Sequence, residues 1–107
     1  RMEILHEGTK AGRVYEDLGS LRGPYRVVEP MMVTLEASDD VFPLYQHEGV
    51  EFIYILKGSM DYGYGSKSYR LDPGDSVQFH GEVAHGPVAL LSLPVRFMSV
   101  KVFPPPE

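Results

Sequence analysis

The residues of this chain best equipped for chemistry are two histidines and a glutamate: His47, Glu51 and His85. Two imidazoles and one carboxylate on one wall of a barrel make a transition-metal site with open positions, suited to ferrous iron and also to manganese, nickel or zinc. Each ring would ligate as neutral imidazole, with its second nitrogen held by a hydrogen bond. Successive side chains of a strand point to opposite faces. Tyr45 and His47 therefore share a face, and Glu51 rejoins it by parity if Gly49 makes only a local bend. The alternate neighbours of Glu51 are Ile53 and Ile55, and a carboxylate on an apolar face is costly unless paired or metal-bound. Its structural alternative is a hydrogen bond to Tyr62 or Tyr64.

Tyr45 stands beside this set as a fourth candidate ligand. A phenol has a pKa near ~10 and ligates readily only to a strongly acidic metal such as ferric iron. The plainer role for Tyr45 is a pocket wall that donates a hydrogen bond. Met60, Tyr62, Tyr64, Val77, Phe79 and Phe97 read first as barrel core. Yet Tyr45, Tyr62 and Tyr64 together are many hydroxyls for a dry interior. They point to a pocket for a small polar ligand, lined by Tyr45, Met60, Tyr62, Tyr64 and Phe79. His6 and His80 read as surface or structural residues.

The elements that must position these residues are short strands. Residues 1–11 form a strand or arm around Glu3-Ile4-Leu5 with a turn at Gly8-Thr9. Gly12 to Leu18 suits an edge strand, and Tyr25 to Glu29 a short strand stopped by Pro30. Met31 to Ala37 follows, with Met31, Val33 and Leu35 on one side. Ser38-Asp39-Asp40 is a turn, and Pro43 demotes Val41–His47 to an edge or irregular segment. Glu51 to Lys57 is a strand with both faces apolar beyond the glutamate, so its outer face should be covered by a second β-layer of the same chain, for which the N-terminal strands are candidates, or by a second subunit. Gly58 permits a tight connection. Gly65-Ser66-Lys67 is a hairpin turn. In Asp72-Pro73-Gly74-Asp75, proline sets φ and glycine supplies a positive one. Val77 and Phe79 face in, and a loop from Gly81 to Ala84 delivers His85. Val88–Leu93 and Val95–Phe103 are the last strands, and Pro104-Pro105-Pro106 ends the ladder. Many short strands with Gly and Pro turns and no helical period mean an all-β barrel or sandwich.

A chain of 107 residues makes one domain. No stretch approaches the roughly 18 apolar residues of a membrane span, and no apolar signal-peptide core follows Arg1. The absence of cysteine removes disulfides and thiolate metal sites and favours a cytoplasmic protein. A net charge of −5 with scattered basic residues argues against nucleic-acid binding by this segment itself. The start at Arg1 rather than Met reads as a trimmed or partial chain.

The stretch from Tyr45 to His85 resembles the cupin superfamily of small β-barrels. That family's first motif reads His-x-His, three or four residues, Glu, six residues, Gly. Here His47 stands at the second His, Glu51 follows after three residues and Gly58 after six more. Tyr45 stands where the first His belongs. The second motif, Pro-Gly-Asp and a later His, is matched by Pro73-Gly74-Asp75 and His85. The resemblance implies a single-domain jelly-roll β-barrel over 1–107, with an N-terminal arm and edge strand (1–24), the barrel (25–103) and a tail (104–107). It implies a divalent transition metal on His47, Glu51 and His85, with Tyr45 in the fourth place.

The wording of His47–Gly58 and Leu71–Phe79 is most similar to C-terminal sensor domains of bacterial XRE-type regulators, which carry a helix-turn-helix at the N-terminus; stand-alone small cupins share it. It implies a small-molecule effector domain working as a homodimer, reaching DNA only through a helix-turn-helix domain outside these residues. The other implied functions are a small metal-dependent enzyme, a dioxygenase, isomerase or lyase, and a metal-free storage or structural barrel.

Overall fold

The computed structural model of the protein describes residues 5–10, 13–23, 26–39, 41 and 44–104. Eight strands follow in order: β1 (Leu5–Lys10), β2 (Arg13–Asp17), β3 (Leu21–Arg22), β4 (Val27–Leu35), β5 (Val50–Tyr64), β6 (Lys67–Leu71), β7 (Ser76–His80) and β8 (His85–Phe103). All their pairings are antiparallel, and the main path through the sheet is β1-β2-β4-β8-β5-β6. Two strands lie off that path: β3 pairs with β4, and β7 with β5. The all-β jelly-roll expected from the sequence is therefore the architecture observed. Among the described residues, no helix is long and apolar enough to cross a membrane.

Two long strands carry the structure, and both run through residues that the sequence marks as breaks. Gly58 does not end a strand. It bends β5 at φ +75°, and the ladder to β8 shifts register on either side of it. A Cβ there would collide with the backbone oxygens of Pro94 and Ser92, so only glycine allows this approach. Likewise β8 is one strand through Pro94, with the Leu93–Pro94 peptide cis. In β4, Pro30 does not stop the strand either. Its carbonyl accepts from Leu18 N (3.1 Å), beyond the last β2 pair at Asp17 and Met31. The proline nitrogen points to that same side, where no ladder donor is needed, so the pairing with β8 stays intact.

Three smaller expectations also change. The residues around Gly8-Thr9 form no turn; the β1–β2 register shifts there within a continuous strand. β2 is no edge strand, since it lies between β1 and β4. The outer face of β5 is not covered by the N-terminal strands, which extend the sheet instead; Tyr54 and Leu56 are exposed, the latter by 44%. The expectations at Glu3, Ile4, Gly12, Tyr25, Asp40, Pro43, Pro105 and Pro106 lie outside the described residues.

The core is built from inward parities of the central strands. Val33 and Leu35 of β4, Ile53, Ile55, Met60 and Tyr62 of β5, Leu71 of β6, and Val95 and Phe97 of β8 are all buried. The Pro73-Gly74 turn docks on the middle of β5. Gly74 N donates to the Ile55 carbonyl (2.8 Å) and Ile55 N to that of Asp75 (2.9 Å), while Ser59 Oγ donates to Asp72 Oδ1 (2.7 Å). This turn, with Gly74 at φ +91°, fixes the bend of β5 and the start of β7 together.

One end of the barrel interior is apolar and the other is not. Along β8 the inward residues run from Val95 and Phe97 to Ser99, Lys101 and Phe103. Facing them, β4 runs from Leu35 and Val33 to Met31 and Glu29, and β5 from Ile55 and Ile53 to Glu51. The result is a cavity of about 400 Å³ with apolar residues towards one end and most of its polar ones towards the other.

Candidate metal centre

Glu51 enters from the first residues of β5, directly opposite Phe79 of β7 and Lys101 of β8. His85 is the first residue of β8. His47 precedes β5, and the chain between them turns at Gly49 (φ +85°), whose backbone packs against Val102 so closely that a Cβ would strike its carbonyl. This local bend brings His47 back to the face of Glu51. The segment is held by His47 N donating to the Gly81 carbonyl (2.9 Å) and Gly81 N to that of Gly49 (2.8 Å).

The three side chains meet. His47 Nε2 lies 2.9 Å and His85 Nε2 3.2 Å from the same oxygen, Glu51 Oε1. One ligand atom from each residue falls within 4.8 Å of the others. The second carboxylate oxygen, Oε2, accepts from Ser99 Oγ at 2.7 Å. Glu51 is 5% exposed and His85 2%. The rings of the two histidines meet edge to face at 4.9 Å, and His85 also packs on Phe79 at 4.6 Å.

Hydrogen bonding fixes which nitrogen of each ring faces inward. His47 Nδ1 lies 2.8 Å from the Glu48 carbonyl, and His85 Nδ1 2.8 Å from that of Val83. A carbonyl only accepts, so each Nδ1 carries the proton. In the neutral rings both Nε2 lone pairs then point at a carboxylate oxygen. Three electron-pair donors face one another, and only positive charge relieves that arrangement. It comes either from protons on the imidazoles or from a metal ion among the three. The donor set, with its outer nitrogens already committed to carbonyls, fits a divalent transition metal.

The electrostatics agree with that reading. The Glu51 carboxyl is held down at about 2: hydrogen bonds from His85, His47 and Ser99 outweigh the larger opposing push of burial. His85 is raised above the ordinary imidazole range although burial, the largest influence, pulls it down, because the Glu51 and Val83 bonds favour its charged form. The Tyr62 phenol is pushed above its usual range by burial first, then by the Glu51 charge and by Tyr45. Tyr62 is therefore a neutral donor on the cavity wall and no base.

Tyr45 sits at the mouth, 47% exposed. Its backbone forms a bridge with His85: Tyr45 N donates to the His85 carbonyl (2.7 Å) and His85 N to that of Tyr45 (2.9 Å). Of the five residues expected to contact a ligand, Tyr45 and Tyr62 line the cavity. Met60 does not, being fully buried in the core. Tyr64 and Phe79 line a different hollow of about 530 Å³ beside β6 and β7. Tyr64 is paired with His85 in the β5–β8 ladder and Phe79 with Glu51 in the β5–β7 ladder, yet both side chains line this second hollow. Glu51 bonds to Ser99 and the histidines rather than to Tyr62 or Tyr64. Sequence reasoning missed Ser99, Lys101 and Glu29, which reach the cavity only through strand register. It also missed Gly81, whose missing side chain leaves room for the His47 ring.

Comparison with known proteins adds the following. Residues 31–101 match the family described as Cupin_2, Cupin domain. No curated protein matches the sequence. Among solved structures, the chain is similar to the iron(II) enzyme HppE, described in another of its structures as hydroxypropylphosphonic acid epoxidase from S. wedmorenis. The TM-score with the iron(II) form is 0.70 at 22% identity, over 94% of this chain and 56% of that one. This chain thus spans little more than half the length of that enzyme. It is also similar to the Cupin_2 domain of an XRE family transcriptional regulator from Enterobacter cloacae, with a TM-score of 0.74 at 20% identity, over 89% of this chain and 99% of that one. An HTH_3 family regulator from Vibrio cholerae gives a TM-score of 0.72 at 20% identity, over 89% of this chain and 52% of that one.

Proposed function

The chain belongs to the Cupin_2 family of cupin domains, and from that premise we propose that it is an effector-binding domain that holds a small polar molecule above a divalent metal, as the sensor part of a bacterial transcription regulator. The observation that carries the reading is the convergence of His47 Nε2, His85 Nε2 and Glu51 Oε1 at the wall of an open cavity. A metal there would supply a Lewis-acid site for a ligand oxygen. Tyr62 would donate a hydrogen bond, and Met31, Val33 and Phe97 would enclose the apolar part of the ligand.

The regulator reading rests on extent: this chain corresponds to nearly the whole of the Enterobacter cloacae domain. In that role ligand binding is coupled to a partner domain, and DNA contact belongs to a helix-turn-helix domain in the same cytoplasmic protein. Exposed Tyr54 and Leu56 of β5 and Leu91 and Leu93 of β8 support a homodimer.

A second reading is favoured by the same triad. Two histidines and a carboxylate with open positions are the set used by iron(II) oxygenases, and an iron(II) epoxidase shares the fold. Here the domain would turn its ligand over.

The deciding experiment is metal content by plasma mass spectrometry on untagged protein purified without chelator, with His85→Ala alongside. Near-stoichiometric metal lost in the variant is the expected result. Equal, trace metal in both proteins would refute a metal-centred function. Oxygen consumption by the metal-loaded protein with candidate ligands separates the enzyme from the sensor.

A further inference from the structure

The cavity wall includes a cationic residue that the metal site does not use, Lys101. It projects from β8 between two acidic neighbours, Glu29 on β4 and Glu51 on β5, each directly opposite it in register. Directly opposed residues have Cβ atoms only about 4.5–5.5 Å apart, yet among the described residues no carboxylate lies within ion-pair distance of Lys101. Glu51 is committed to His47, His85 and Ser99. The Lys101 charge still reaches the triad, where it favours ionised Glu51 and opposes protonation of His85. The cavity wall thus presents a cation beside the metal ligands without a committed partner.

We infer that the molecule bound in this cavity is a small monoanionic organic acid, with its carboxylate received by Lys101 and its apolar body by Met31, Val33 and Phe97. This deepens the proposed function and rests on its ligand-binding reading. Charge balance supports it. With a divalent ion on the triad, the positive charges of the metal and Lys101 exceed the two carboxylates Glu29 and Glu51 by one, and a monoanion closes that difference. The volume of about 400 Å³ lies at the small end of ligand pockets, and Lys101 and Glu29 stand at the opposite end of their strands from Leu35, Val33 and Phe97. An acid entering with its carboxylate towards Lys101 and its hydrocarbon part towards Phe97 satisfies both ends.

The test uses a matched pair of probes, 2-hydroxy-3-methylbutanoate and its primary amide, titrated by calorimetry into Zn²⁺-loaded and metal-free protein. The metal by itself favours the acid, so the readout is how the acid-to-amide affinity ratio changes on substitution. The ratio is expected to fall about tenfold in Lys101→Gln, to survive in Lys101→Arg, and to rise in Glu29→Gln, which removes a competing negative charge. Because the two neutralising variants move it in opposite directions, general damage to the fold cannot imitate the result. An unchanged ratio in Lys101→Gln, movement of both variants in the same direction, or no saturable binding of the acid overturns the inference. If wild type holds no Zn²⁺ but prefers the acid through Lys101, the metal reading fails and the anion site stands. If it holds Zn²⁺ and the preference ignores Lys101, the anion site fails and the metal reading stands.

Discussion

Replacing Glu51 by Gln keeps the shape of the side chain and removes its charge, which makes the stability of the metal-free protein depend on pH in a defined way. The Glu51 carboxyl sits at about 2 in the fold against an ordinary 4.5. Its ionised form is therefore favoured by folding, and at about 1.4 kcal/mol per pH unit the difference amounts to roughly 3 kcal/mol. A lowered carboxyl contributes this above its unfolded value and loses it as pH falls through the folded one. His85 is raised, so its contribution is complete below the ordinary imidazole value of 6.5 and disappears as pH climbs through its folded value. The two windows overlap between roughly pH 4.5 and 6.5. There the carboxylate faces imidazolium, and Glu51→Gln should cost about 2–3 kcal/mol, or roughly 10–20 °C in Tm for a domain of this size. At higher pH the His85 Nε2 is an acceptor, and the amide of Gln can donate where the carboxylate could not, so the deficit should shrink. The assay is thermal unfolding of chelator-treated wild type and Glu51→Gln across that range, followed by circular dichroism. A Tm gap that is flat with pH, or that widens above neutrality, would refute the charge pairing deduced here.

Other substitutions probe single contacts. Gly81→Ala places a methyl group where the His47 ring lies, and should lower Zn²⁺ affinity by at least about tenfold while the barrel still folds; competition with a chromophoric chelator measures it. Ser99→Ala removes the donor to Glu51 Oε2 in a buried site, should cost about 1–3 kcal/mol, and should move the acid-unfolding midpoint to higher pH because the carboxylate loses a stabilising bond. Gly58→Ala meets the carbonyls of Pro94 and Ser92 at a positive φ, and should cost more than about 2 kcal/mol in urea unfolding; little change would mean that β5 and β8 can part there without penalty.

What local pattern could reveal, and what it could not, follows from the kind of information each feature needs. Glu51 was legible because a carboxylate interrupts the apolar parity of Ile53 and Ile55, and His47 because it lies within one bend of that strand. The turn at Pro73-Gly74 was legible from residue type alone. Ser99 and Lys101 were not: they reach the site only because β8 lies beside β5 in one register, and no nearby residue encodes that pairing. Gly81 escaped notice because its role is to leave space for a ring 34 positions earlier in the chain. Gly58, Pro30 and Pro94 read as strand breaks because local rules assume a flat ladder; the barrel curves, and absorbs each at a bulge or at a point where no donor is needed. Those readings cut β4, β5 and β8 each in two. Tyr64 and Phe79 line the hollow beside β6 and β7, a division of the interior that strand parity does not encode.

The backbone bridge between Tyr45 and His85 makes the entrance and the ligand cluster one mechanical unit. Tyr45 stands exposed at the rim, and His47 is two positions along the same segment. Its paired hydrogen bonds clasp the start of β8. A push on the tyrosine ring is thus delivered through stiff peptide groups to both imidazoles, while Glu51 stays anchored by Ser99. If a ligand binds at the rim and a metal below it, the two affinities are linked, and each changes the other by the same factor. With an ion bound, a barrel wired in this way would signal its contents without any large movement, through the hold of two rings on that ion.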